Sequence, residues 1–158
     1  MKKLILILLT IGFTSSAQTK PSSKYLTKLF KNSIEQNDKK RISTFSNPWV
    51  INNIDSAYYK LDTLKVYNYK NVETEFCEYI GWTFYKKNLF ILNKAHHCNE
   101  PPTNSVTNKE NWYEVKFVEN EKKLILQFYN LEKRLSQFEV LSIQESDSKM
   151  TLILLRKK

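Results

Sequence analysis

Glycine is nearly absent. The 158-residue chain holds two, Gly12 and Gly81, far apart. Phosphate-cradling loops of the P-loop and Rossmann kinds need several glycines close together, so both are excluded. Histidine is as scarce, with His96 and His97 the whole supply. There is no H-E-x-x-H and no G-x-S-x-G, which removes common zinc-protease and serine-hydrolase signatures. Arginine occurs three times against 22 lysines, and the lysines form no run longer than two. The formal charge of +9 therefore lacks the clustered footprint and the bidentate forks of a nucleic-acid binder. No segment after the N-terminus is apolar enough to span a bilayer. Glu73, Glu75 and Glu78 lie close in the chain, but such carboxylates read as a solvated strand edge. These absences leave no catalytic constellation and no cofactor motif, and the chain reads as a non-enzyme.

What is there begins with "MKKLILILLTIGFTSSAQ". Two lysines precede an apolar run, and Ser15 and Ala17 take the small-residue positions before Gln18. That order reads as a secretory signal over residues 1–17, and the apolar run is shorter than the ~20 residues of a spanning helix. No cysteine stands at the cut, so a bacterial lipoprotein is not expected. A chain from Gln18 would have 141 residues and a charge of +7 (23 basic minus 16 acidic), enough for one domain with a sizeable core. Residues 18–45 read as a polar lead and an amphipathic helix, and residues 46–158 as a β domain. In the helix, from Lys24 to about Arg41, Tyr25, Leu26, Leu29, Phe30 and Ile34 recur at helical spacing. Such a stripe covers a core more often than it lies on a membrane.

From Trp49 onward, aromatic and β-branched residues alternate with polar turn clusters. Eight strands are expected, at 49–55, 57–67, 76–86, 89–96, 111–118, 123–129, 137–144 and 149–156. Pro101 and Pro102 mark 99–111 as a loop. Folding at Asn120-Glu121 pairs Phe117 with Leu124, Val115 with Leu126 and Tyr113 with Phe128 on one apolar face, leaving Glu114 and Lys116 outside. Folding at Asp147-Ser148 pairs Ile143 with Leu152 and Leu141 with Leu154.

Both cysteines and both histidines fall in "CEYIGWTFYKKNLFILNKAHHC". Folded at Lys87-Asn88, this stretch sets Phe84 opposite Ile91, Trp82 opposite Asn93, Glu78 opposite His97 and Cys77 opposite Cys98. A bulge at Gly81 would move that register by one. The cysteines land on a non-hydrogen-bonded pair, where α-carbons approach to ~4.5 Å, within disulfide reach. His96 and His97 point to opposite faces and cannot share one ion with both cysteines. Twenty residues separate the cysteines, unlike a C-x-x-C redox pair. A structural disulfide is expected.

Several features together resemble a known family. Tryptophan opens the first strand in "NPWVINNID", and a cysteine precedes a "WTF" strand with a second cysteine about twenty residues on. The chain then closes on "FEVLSIQESDSKMTLILLRK". Over roughly Ser46 to Arg156 the chain resembles the bacterial lipocalin-like domain proteins common in the Bacteroidetes. The resemblance implies an eight-stranded antiparallel up-and-down barrel, or a half-open one, and a small hydrophobic ligand inside it. Trp82, Phe84, Tyr113 and Phe128 are the expected lining. These residues are bulky, and eight strands give a barrel that is either filled or holds one small ligand. A filled barrel would favor the alternative, a non-enzymatic protein-binding, inhibitor or immunity-type module. The expected protein is a secreted or periplasmic monomer that binds a small hydrophobic molecule or an unidentified protein, with no nucleic acid, no metal and no transmembrane segment after signal cleavage.

Overall fold

The structure, a computed structural model, describes residues 18–34, 47–70, 74–98, 101–105, 109–121, 123–131 and 133–158. The expected signal segment, 1–17, and the expected helix beyond Ile34 lie outside the described residues. In chain order the elements are β1 (Gln18–Thr19), α1 (Ser23–Asn32), β2 (Trp49–Asn52), a 3-10 turn (Ile54–Ser56) running into α2 (Ala57–Lys60), and β3 (Thr63–Tyr69). Then come β4 (Glu78–Lys86), β5 (Leu89–His96), β6 (Thr103–Ser105), a second 3-10 turn (Lys109–Asn111), β7 (Trp112–Asn120), β8 (Lys123–Asn130), β9 (Lys133–Glu145) and β10 (Lys149–Lys157).

The chain forms the expected mainly-β, eight-stranded antiparallel barrel with an N-terminal helix. Around it the order is β3, β2, β4, β5, β7, β8, β9, β10 and back to β3. From β4 to β10 the barrel strands follow one another as a meander. The β2–β3 pair closes the gap with its members in reversed places, β2 beside β4 and β3 beside β10. The β3–β4 connection must therefore pass β2. Phe76, within it, packs on a small cluster of Val50, Tyr69, Tyr79 and Ala95 outside the barrel. The main core is the barrel interior, filled by alternate side chains of each strand: Ile80, Trp82 and Phe84 on β4, and Leu124, Leu126 and Phe128 on β8.

One end of the barrel is closed by α1. Ser22 caps the helix by accepting the Tyr25 N–H, and Leu26 and Phe30 turn fully inward. The helix stops at Asn32, short of the expected Arg41, where the Ser33 hydroxyl turns back on the Phe30 carbonyl at 2.7 Å and accepts from Trp49 Nε1 at 3.3 Å. The opposite end carries α2, the β8–β9 turn, the C-terminal end of β10 and the Cys77–Cys98 disulfide.

Several local expectations are corrected. The first two residues of the polar lead pair with β9. Residues 57–60 form α2, so the second strand begins at Thr63. The loop 99–111 contains the short β6, which pairs with β5 after the two prolines. At the β7–β8 turn, Glu121 takes φ 53°, and Asn120 pairs with Lys123. Each partner thus moves by two residues: Phe117 meets Leu126 and Val115 meets Phe128, instead of Leu124 and Leu126. A two-residue slip leaves every side chain on its face, so the expected interior set survives. Between β9 and β10, Ile143 meets Leu152 as expected, but a bulge sets Leu154 opposite Val140 and turns Leu141 outward.

Candidate functional site

The stapled hairpin builds one wall of the interior. Its register breaks at Tyr85, not Gly81, so Phe84 lies opposite Phe90, Trp82 opposite Leu92 and Glu78 opposite His96. This corrects the pairings with Ile91, Asn93 and His97. The bulge has a packing consequence, because residues directly opposite share a face. It puts the Phe90 ring, rather than Ile91, inside beside Phe84 and Trp82. Cys77 is no longer directly opposite Cys98. The His97 N–H donates to the Cys77 carbonyl at 2.8 Å, and the disulfide closes with α-carbons 5.0 Å apart.

All four expected lining residues gather around Phe90. Its ring centroid lies 5.2 Å from Phe84, 5.8 Å from Trp82, 5.0 Å from Phe128 and 5.3 Å from Tyr113. Trp82 and Phe128 meet edge to face at 4.9 Å, and Phe138 adds a further ring 5.3 Å from Phe128. Trp82, Phe84 and Phe128 are at most 1% exposed, while Tyr113 is half-buried at the margin. These rings sit at the separations of directly packed aromatic pairs.

Each end of the interior is plugged by one aromatic side chain. At the α1 end Phe30 stacks on Phe84 at 4.2 Å and meets Trp49 edge-on at 5.4 Å. At the α2 end Tyr58 enters the core, and burial holds its phenol well above the usual range, partly offset by the Arg156 charge. Arg156 fastens this plug. Its guanidinium donates to the carbonyls of Tyr58 and Leu61 and lies 4.9 Å from the Phe138 ring centroid. Trp82 interacts with the Tyr58 phenol, Asn53 Oδ1 accepts the Tyr58 N–H at 3.2 Å, and Asn53 Nδ2 is a buried polar atom without a hydrogen-bond partner among the described residues.

The histidines lie on the hairpin's outer end. His96 Nε2 is 3.3 Å from Glu78 Oε1, and His97 Nε2 is 3.3 Å from the Tyr79 hydroxyl. Among the described residues no group of three potential ligands could hold a metal ion. A surface hollow of about 460 Å³ lies between Pro21 and the β7–β8 turn. There Glu119 already accepts the Ser23 N–H at 2.8 Å, a contact that holds its carboxyl below the usual range. The anion-favoring start of α1 is thus occupied by the chain's own carboxylate.

Sequence reasoning missed Phe90, Phe138 and Tyr58 as interior groups, and placed Phe30 on the core-covering helix stripe without its ring partners. Phe30 and Phe138 were legible as apolar positions of periodic segments, but the rings they meet depend on the fold. Phe90 needed the bulge, and Tyr58 lay in a segment read as strand.

Searches with protein-family models, curated proteins and solved structures find no match to this chain. The geometry itself defines a closed antiparallel β-barrel, packed with aromatic rings and plugged at both ends. Among the described residues no helix is long and apolar enough to cross a membrane.

Proposed function

We propose that this chain is an exported, non-catalytic binding protein whose barrel is a filled scaffold and whose contacts are made from its outer surface. The observation that carries this is the ring packing of Trp82, Phe90, Phe128 and Phe138, with separations of 4.9–5.3 Å between Phe128 and the other three. Rings at such distances leave little room for a guest between them. Export is supported by the signal-like N-terminus and by a disulfide, which persists in oxidizing compartments. The intact mass of the exported form should correspond to a start at Gln18.

The resemblance to lipocalin-like domain proteins supplies a second reading, a small hydrophobic ligand inside the barrel. It is favored by the buried Asn53 Nδ2, which lacks a partner beside the plug, and by the α2 plug itself, whose approach runs through Asp55 and Ser56, both at positive φ. Withdrawal of Tyr58 would bare the interior. Titration with fatty acids, retinoids and heme, followed by tryptophan emission, separates the two. The filled scaffold predicts no saturable response in the native protein and a gained response in Phe128→Ala, where truncation opens a cavity. Micromolar saturation of the native protein overturns it in favor of the interior ligand.

A further inference from the structure

We propose that the α2 end of the barrel is a binding site for a small aromatic carboxylate of the size of p-hydroxyphenylpropionate, which Tyr58 occupies as an internal stand-in until a guest displaces α2. The proposal goes beyond the filled-scaffold reading without undoing it. The guest replaces one ring, and the packing of Trp82, Phe90, Phe128 and Phe138 is kept.

An inward-facing charge marks this end. Leu152 and Leu154 enter the core from β10, and Arg156 follows on the same face, directly opposite Phe138. Its guanidinium carbon lies 5.5 Å from the Tyr58 ring centroid and 4.9 Å from that of Phe138. Among the described residues no carboxylate pairs with it. The guanidinium donates instead to the main-chain carbonyls of Tyr58, on the four-residue α2, and of Leu61, its C-cap. A fork that holds two neutral oxygens is one that a carboxylate completes with two charged ones. The acids of this rim are placed elsewhere. Asp62 is 4.0 Å from Lys158 Nζ, Glu78 is 3.3 Å from His96 Nε2, Asp55 and Glu110 are exposed, and Glu132 lies outside the described residues. Arg156 is the charge that acts on the Tyr58 phenol, whose other electrostatic neighbors are the phenols of Tyr113 and Tyr59.

A second donor waits beside the plug. Asn53 is 1% exposed, yet its Nδ2 has no hydrogen-bond partner among the described residues. Its Oδ1 accepts the Tyr58 N–H at 3.2 Å, so the idle donor borders α2. A buried donor left unpaired is costly, and a guest that brings acceptor oxygens relieves it. The backbone leading into α2 is also unfavorable when closed. Asp55 and Ser56 stand at φ 55° and 61°, two consecutive non-glycine residues in the left-handed region. Withdrawal of α2 would release both and free the Arg156 fork together. Tyr58 itself shows what fits. Its ring is buried, and Cβ and Cα join it to the carbonyl that Arg156 holds. An arylpropionate repeats that ring and that spacing, with a carboxylate in place of the peptide carbonyl. Its hydroxyl would take over the contact of the Tyr58 phenol with Trp82.

The test is titration calorimetry of the exported protein with p-hydroxyphenylpropionate and with its primary amide, alongside hydrogen exchange of the amides of residues 57–61. The acid should bind saturably and at least about tenfold more tightly than the amide, as a charge-assisted bidentate contact exceeds a neutral one. Binding should speed exchange across 57–61, because α2 leaves the barrel mouth. Arg156→Gln should abolish the preference for the acid. Arg156 also fastens the plug, so a second variant separates the two roles. Tyr58→Ala keeps the arginine and vacates the ring slot, and it should bind the acid about tenfold more tightly than the native protein, with the preference over the amide retained. Failure of the acid to saturate the native protein, equal affinity for acid and amide, or unchanged exchange overturns the proposal. So does a Tyr58→Ala protein that takes up acid and amide alike, as any apolar cavity would. The filled-scaffold reading fails by a different result, saturable uptake of fatty acids, retinoids or heme by the native barrel.

Discussion

Phe128→Ala would remove a side chain that is 1% exposed and in ring contact with Trp82, Phe90 and Phe138 at 4.9, 5.0 and 5.3 Å. Truncating a buried phenylalanine costs roughly 3–5 kcal/mol, the lost transfer energy plus the cavity left behind. The upper half of that range applies here. The neighbors are themselves stiff rings held from three other strands, β4, β5 and β9, so the walls cannot collapse into the gap. The edge-to-face contact with Trp82 adds about 0.5–1.5 kcal/mol beyond area burial. We expect a loss of about 4 kcal/mol in urea unfolding, with the slope unchanged. In a chain of this size that lowers the thermal midpoint by roughly 10–15 °C. The matched control is Lys116→Ala on the outer face of β7. Lys116 is exposed, with Glu114 at 3.6 Å and the Tyr129 ring at 4.5 Å, so its loss should cost under about 1 kcal/mol. A Phe128→Ala cost below about 1.5 kcal/mol would mean that the interior is not packed as described, and the filled-scaffold reading would lose its basis.

Replacing both Cys77 and Cys98 by serine should lower stability by about 3 kcal/mol, from the entropy of the closed loop of their 21-residue separation, with the far-ultraviolet spectrum preserved. Gly81→Ala should cost about 1–3 kcal/mol in the same unfolding assay, because an added methyl would overlap the buried Asn93 amide across the hairpin. Glu139 is held below the usual carboxylate range by its hydrogen bond from Lys157 at 2.8 Å, with burial opposing and Lys123 assisting. A depressed carboxyl contributes stability that is full above the unfolded carboxylate range and is lost as pH falls through the folded value. Glu139→Gln should therefore flatten the acid limb of the stability–pH profile, and an unchanged limb would discount this pair.

On β7 and β8 the core-facing residues were legible from the sequence, because strand side chains alternate with a period of two. Val115, Phe117, Leu124, Leu126 and Phe128 share a face in any register shifted by an even number of residues, and they do. The two-residue error at the β7–β8 turn did no harm for that reason. The disulfide was legible too, since only two cysteines flank a hairpin short enough to bring them together. Pattern could not fix the register. The left-handed Glu121 decided it at one turn, and the bulges at Tyr85 and before Leu154 decided it at two other hairpins. Nor could it decide strand order. The exchange of β2 and β3 depends on β10 offering its edge to β3, a contact between residues eighty or more apart. The exposed apolar residues at the α2 end followed the same division. The apolar and basic residues of 59–61 and 131–135 are plain in the sequence, where they read as ordinary strand and turn. Barrel closure alone set them on one rim, because it fixed which turns share an end and left those side chains without a core to enter.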